Sequence, residues 1–199
     1  VSSHPDDIYP ESRNRLPMVK RDELDEQGKR VYDEITTRSA LSVAGLQGPG
    51  GMMLHNPRLA ELHRAYNRAL RSEPALGPAL TELAILVVAR GMSQPFEWTV
   101  HETAAHEAGL DPRAIDIVKH RKPVEGLGEK ETIIIRLGRE VFDDRKVSSA
   151  TYAQAERRFG RRVLVSLTAL MAAYAGTAVL LTVFDQQFAP GVESLLPMP

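Results

Sequence analysis

Three side chains set out the chemistry this chain could do. Glu82 stands inside Leu80–Ala89, a run that is otherwise almost continuously apolar. Glu97 and His101 follow at a spacing of four, which puts them on one face of a helix, one turn apart. Burying such groups is costly unless they are paired, so a carboxylate in an apolar run beside a Glu–His pair marks a candidate site. Two carboxyls and an imidazole in a sheltered place can move protons. Like charges push one carboxyl toward its neutral form, and the imidazole takes or gives the shared proton. That is equipment for general acid–base catalysis.

Two other readings compete. A Glu–His pair at this spacing on an exposed helix is only a local contact, worth about 0.3 kcal/mol. Alternatively, Glu97-x-x-x-His101 is repeated by Glu102-x-x-x-His106, and Glu82, Glu97 and His101 together offer one imidazole and two carboxylates to a divalent ion. The pattern is not H-E-x-x-H. Around the trio, Arg90 is expected at the mouth between two helices, holding a substrate carboxylate bidentately. Trp98 packs in the core or stacks on ligand. His55 precedes a helix N-terminus beside apolar Met52-Met53-Leu54, where it would line a pocket.

The elements that position these residues read as helices. Gly77-Pro78 opens one over the apolar run. Pro95 and Gly109 bracket the next, with Phe96, Val100, Ala104, Ala105 and Ala108 at helical apolar spacing. Upstream, an amphipathic helix is predicted over 22–37, with Leu24, Val31 and Ile35 on its stripe. Asn56-Pro57 starts another, whose apolar face is Leu59, Leu62, Tyr66 and Leu70. The segment 45–51 reads as a turn-rich loop without a phosphate-cradle pattern. Downstream, Asp111-Pro112 opens a short helix. A helix over 129–144 points Ile133, Ile134, Leu137 and Val141 inward. Ser149 caps a helix that stops at Gly160, and an apolar helix runs from 161 to 186. The tail from Leu195 is expected on another surface. No segment alternates with period two.

Val163–Phe184 carries no charged residue and has the length of a membrane span. Ser166, Thr168, Tyr174, Thr177 and Thr182 within it favour a helix buried on all sides in a bundle. The chain has 199 residues, 43% of them apolar, enough for a core. A net charge of −1 without a basic face argues against nucleic acid. Zero cysteines exclude disulfides, thiolate metal sites and thiol chemistry. The first ten residues are polar and carry prolines, unlike the apolar core of a secretory leader. The expected organisation is an extended arm over 1–20 and one helical domain over 21–199, in a cytoplasmic protein that meets no membrane.

The residues also carry a resemblance. H-N-P-R-L-A before a helix, T-E-L-A-I-L-V-V-A-R, E-W-x-x-H with A-G-L behind it, and the late F-G-R-R-V-L-V-S-L-T-A-L resemble the carboxymuconolactone decarboxylase family, which includes the alkylhydroperoxidase-D-like proteins. The resemblance implies an all-α, alkylhydroperoxidase-D-like bundle of about seven or eight helices that assembles into trimeric or hexameric rings. The peroxidase members use a glutamate on the apolar helix, a C-x-x-C pair, and a histidine four residues beyond. Here the glutamate and histidine fall on Glu82 and His101, whereas Gln94 and Glu97 occupy the cysteine positions. Thiol-based peroxide reduction needs a thiolate, and none is present. The resemblance instead implies a lyase of the decarboxylase type. It would act on a small lactone or carboxylic acid without metal or organic cofactor, with Gln94 among the substrate-binding residues. A ring-forming scaffold that binds a small ligand and lacks the chemistry is the non-enzymatic alternative.

Overall fold

A computed structural model describes residues 6–37 and 44–197. The first five residues of the expected arm and the last two of the tail lie outside them. Among the described residues there are eight α-helices: α1 (Glu26–Thr36), α2 (Pro49–Met53), α3 (Pro57–Arg71), α4 (Gly77–Gly91), α5 (Pro95–Glu107), α6 (Pro112–Lys119), α7 (Glu129–Phe142) and α8 (Ser149–Val183). The only β pairing among them is one isolated bridge, Tyr9 to Asn14. The fold is all-helical, as the spacing predicts.

Prolines and caps set the helix starts. Asp25 accepts from Gly28 N at 2.7 Å to open α1, and Asp111 accepts from Arg113 N at 2.8 Å to open α6. Each satisfies a backbone donor that the helix itself leaves unpaired. Pro49, Pro78, Pro95 and Pro112 lie in the first turns of their helices, where a missing N–H costs nothing. In α8, Gly160 sits at φ 72°, ψ 161°, breaking the helix where the stop was expected. A residue with a Cβ would be strained there.

The chain divides into two compact units. One comprises, among the described residues, 6–37, 44–68 and 179–193. Its core is Val31, Ile35, Leu54 and Ala60. The segment after Tyr9 is stitched into this unit: Arg15 N donates to Phe184 O at 2.9 Å, and Asn14 Nδ2 to Gln186 Oε1 at 3.1 Å.

The other unit comprises residues 69–178 and 194–199. Helix α4 is its axis, buried from Leu80 to Ala89 on every side, and α5, α6 and α7 pack on it. α7 approaches closely because Gly138 has no side chain: a Cβ there would lie 2.0 Å from Val87 Cγ1.

Four expectations change. The apolar helix is not buried on all sides, since 44% of the most apolar stretch of α8 is buried and Val165 stands 68% exposed. Residues 49–53 form a short helix, not a loop, because Pro49 is preset for a first helical turn. On α3, Leu59, Leu62 and Tyr66 are exposed at 51%, 57% and 49%. The buried line there is Ala60, Arg64 and Leu70, and Arg64 turns inward because Nε donates to Glu34 Oε2 at 3.3 Å. Helical spacing identifies an apolar stripe without saying which stripe faces the core. The tail also differs. Leu196 is 2% exposed within the core around α4, and Leu195 N donates to Thr99 Oγ1 at 3.0 Å.

Candidate active site

Glu82 and His101 meet in the unit built on α4. Glu82 is 3% exposed, and its Oε2 lies 2.7 Å from His101 Nδ1. Its other oxygen accepts from Arg71 Nη2 at 2.5 Å. Arg71 Nη1 donates to the Tyr174 hydroxyl at 2.8 Å. The Tyr174 ring meets the His101 ring edge-on, centroids 5.2 Å apart and planes 87° apart. Four side chains from α3, α4, α5 and α8 thus close a hydrogen-bonded cluster. Burial pushes the Glu82 carboxyl up, but the His101 hydrogen bond and the Arg71 charge together outweigh it and hold the carboxyl below its ordinary value. An ionised carboxylate has no proton to give, so Nδ1 of His101 carries the hydrogen.

Glu97 is placed differently. It is 2% exposed, yet neither oxygen has a hydrogen-bond partner among the described residues. Burial alone pushes its carboxyl well above the ordinary range and so favours the neutral acid. The expected trio is therefore a bonded pair, Glu82 and His101, with the unpartnered Glu97 carboxyl one helical turn from the histidine.

The side chains of the remaining expected residues are engaged with other partners. Arg90 is eight residues beyond Glu82 on α4, about 12 Å along the axis. Its Nε donates to Lys119 O at 3.0 Å. Gln94 caps α5, accepting from Phe96 N at 3.0 Å. Trp98 is fully buried, and its Nε1 donates to Glu102 Oε2 at 2.5 Å. Lys119 Nζ reaches the other Glu102 oxygen at 2.6 Å. The indole is thus committed to the core, and Glu102 to a lysine and not to exposed His106. His55 belongs to the other unit, with Nε2 3.1 Å from Pro17 O. It lines a cleft there of about 670 Å³.

The donor set does not suit a divalent ion. Both Glu82 oxygens are taken, one by a guanidinium whose charge would repel a cation. Among the described residues no three His, Asp or Glu side chains come together as a metal cluster.

Arg71 and Tyr174 are the members that sequence reasoning did not find. Tyr174 was legible only as a polar residue in an apolar run. Arg71, at the end of α3, gave no local signal.

Residues 57–134 match the model of the Carboxymuconolactone decarboxylase family. The match contains Arg71, Glu82, Glu97 and His101 and stops short of Tyr174. Neither the curated proteins nor the solved structures gave a match to this chain.

Proposed function

We propose that this chain, whose residues 57–134 match the model of the carboxymuconolactone decarboxylase family, is a cofactor-free carboxy-lyase acting on a small lactone or carboxylic acid. The observation that carries the reading is the buried Glu82–His101 hydrogen bond at 2.7 Å. In such a reaction the bond between carbon and the substrate carboxylate breaks. The electron pair moves into a conjugated carbonyl, carbon dioxide leaves, and a proton is delivered to carbon. Glu97, as a neutral acid, gives that proton. His101 restores it from one turn along the same helix. Glu82 is a positioning residue: it fixes the histidine tautomer, and Arg71 and Tyr174 hold Glu82.

With no cysteine in the chain, a thiol-dependent peroxidase is not part of the reading. Self-association into trimers or hexamers is part of it. It is supported by the exposed apolar residues Leu59, Leu62 and Tyr66 on α3 and Val165 on α8, which a subunit contact would cover. α8 is long and apolar enough to cross a membrane, and 44% of its most apolar stretch is buried. We take it as a bundle helix that also meets a neighbouring subunit, in a cytoplasmic protein. Light scattering on the purified chain reads the assembly directly.

The enzymatic test starts with γ-carboxymuconolactone and follows carbon dioxide release. Glu97→Gln keeps the shape and removes the acid, so turnover should fall by about 100-fold or more, the usual contribution of a positioned acid or base. Turnover at the wild-type rate would remove Glu97 from the reaction. His101→Asn should have an effect of similar size.

A further inference from the structure

On the same α4 axis, about two turns beyond Glu82, a notch between α4, α6 and α7 gathers positive charge. Arg90 enters it from α4, Arg139 from α7 and Arg121 from the turn after α6. Asp143 is the one carboxylate in its lining. Two of the guanidinium groups are fixed by backbone oxygens. Arg90 Nε donates to Lys119 O at 3.0 Å, and Arg139 Nη2 to Ile117 O and Lys122 O at 3.2 and 2.8 Å. The third is tethered to the acid, Arg121 Nη1 to Asp143 Oδ2 at 2.5 Å. Three cations face one anion, so the notch carries uncompensated positive charge. Burial, then the neighbouring Arg121 charge, lowers Arg90's affinity for its proton. Arg139 is lowered by burial first and by Arg121 as well. Arg121 moreover sits at φ 52°, in the left-handed region where glycine is the usual occupant. The cavity is about 20 Å³, space for one small polar group and not for a ring.

We propose that this notch binds one oxyanion group, a carboxylate or a phosphate of a small metabolite. Arg90 and Arg139 are its preset donors, and Arg121 is shared between the ligand and Asp143. Fixed guanidinium forks match the planar or tetrahedral oxygens of such a group better than flexible ammonium groups do. The site stands apart from the Glu82–His101 pair, and its test does not depend on turnover.

The probes are inorganic phosphate and malonate, titrated into the full chain by calorimetry and by thermal shift, with sodium chloride added to hold ionic strength constant. At least one should bind saturably, and the one that binds identifies the ligand as phosphate or carboxylate. Arg121 is exposed, so Arg121→Gln should fold and should weaken binding about tenfold, the loss of one charge-assisted hydrogen bond pair. Asp143→Asn removes the competing acid and should tighten binding about threefold. Arg113→Gln, on an exposed arginine outside the notch, should leave binding unchanged. Saturable binding to neither probe, equal affinity in Arg121→Gln and Arg113→Gln, or weaker binding in Asp143→Asn would each overturn the proposal.

Discussion

Glu82 and Glu97 are two carboxyls equally removed from water, at 3% and 2% exposure, on adjacent helices of one compact unit. Their carboxyls are displaced in opposite directions, Glu82 down and Glu97 up. Glu82 has a guanidinium and an imidazole on its two oxygens. Glu97 has no partner for either. Burial raises both, and only the supply of opposite charge and hydrogen bonds separates them. Depth alone does not decide ionisation. Partners decide it, and an acid left without partners in the core is either a cost the fold tolerates or a proton kept for use.

Breaking the partnered side should have the largest effect. Glu82→Leu leaves Arg71, with its side chain 11% exposed, as a buried cation that keeps, among the described residues, the Tyr174 hydroxyl as its hydrogen-bond partner. Removing one member of a buried ion pair costs about 3 kcal/mol or more. Urea unfolding should show that loss at pH 7. Glu82→Gln should cost less, since the amide oxygen still accepts from Arg71 or His101. Equal stability of Glu82→Leu and wild type would mean the cluster is open to water. The ionised pair also has a pH signature. The Glu82 carboxyl lies lower in the folded than in the unfolded chain, so its stabilisation is present above the ordinary carboxyl range of about 4.3. It is lost as pH falls through the folded value.

Glu97 should behave in the opposite sense. Its folded value lies above the unfolded one. Below about pH 4.3 both states hold the proton and no penalty exists. As pH rises toward the folded value, the unfolded chain ionises and the folded one does not, so stability falls, by at most about 1.4 kcal/mol per pH unit. Glu97→Gln removes this dependence. The variant should match wild type near pH 4 and exceed it at pH 7, while losing turnover if the proposed chemistry is right. A variant that is less stable than wild type at pH 7 would show that Glu97 has a partner after all.

Much of this was legible in the sequence, and the reasons for the rest are physical. Pro78, Pro95 and Pro112 announced three helix starts because proline tolerates the first turn and little else, and Gly160 announced the break in α8. Glu82 and His101 stood out because a charged group in an apolar setting demands a partner. That partner, Arg71, could not be seen. It is eleven residues away across a turn, and nothing in a single sequence says which of many arginines a fold will turn inward. Arg90, expected at the mouth between two helices to hold a substrate carboxylate, lines a separate notch. On α3 the periodicity located the apolar stripe but not its direction, and Leu59, Leu62 and Tyr66 stand exposed.

The smallest effect isolates the outermost contact of the cluster. Tyr174→Phe removes the hydroxyl that accepts from Arg71 at 2.8 Å and keeps the ring edge-on to His101. One hydrogen bond to a charged group contributes about 1.5 kcal/mol, and the Arg71 Nη1 donor then loses its acceptor. Unfolding should show a loss of about that size, and none of the pH dependence of either carboxyl should move. If Tyr174 serves only to hold Arg71 on Glu82, turnover should fall by no more than about tenfold, far less than with Glu97→Gln. A loss as large as that of Glu97→Gln would move Tyr174 from the supporting cluster to the reacting groups. It would also make the phenol, rather than the neutral acid, the leading candidate for the proton delivered to carbon.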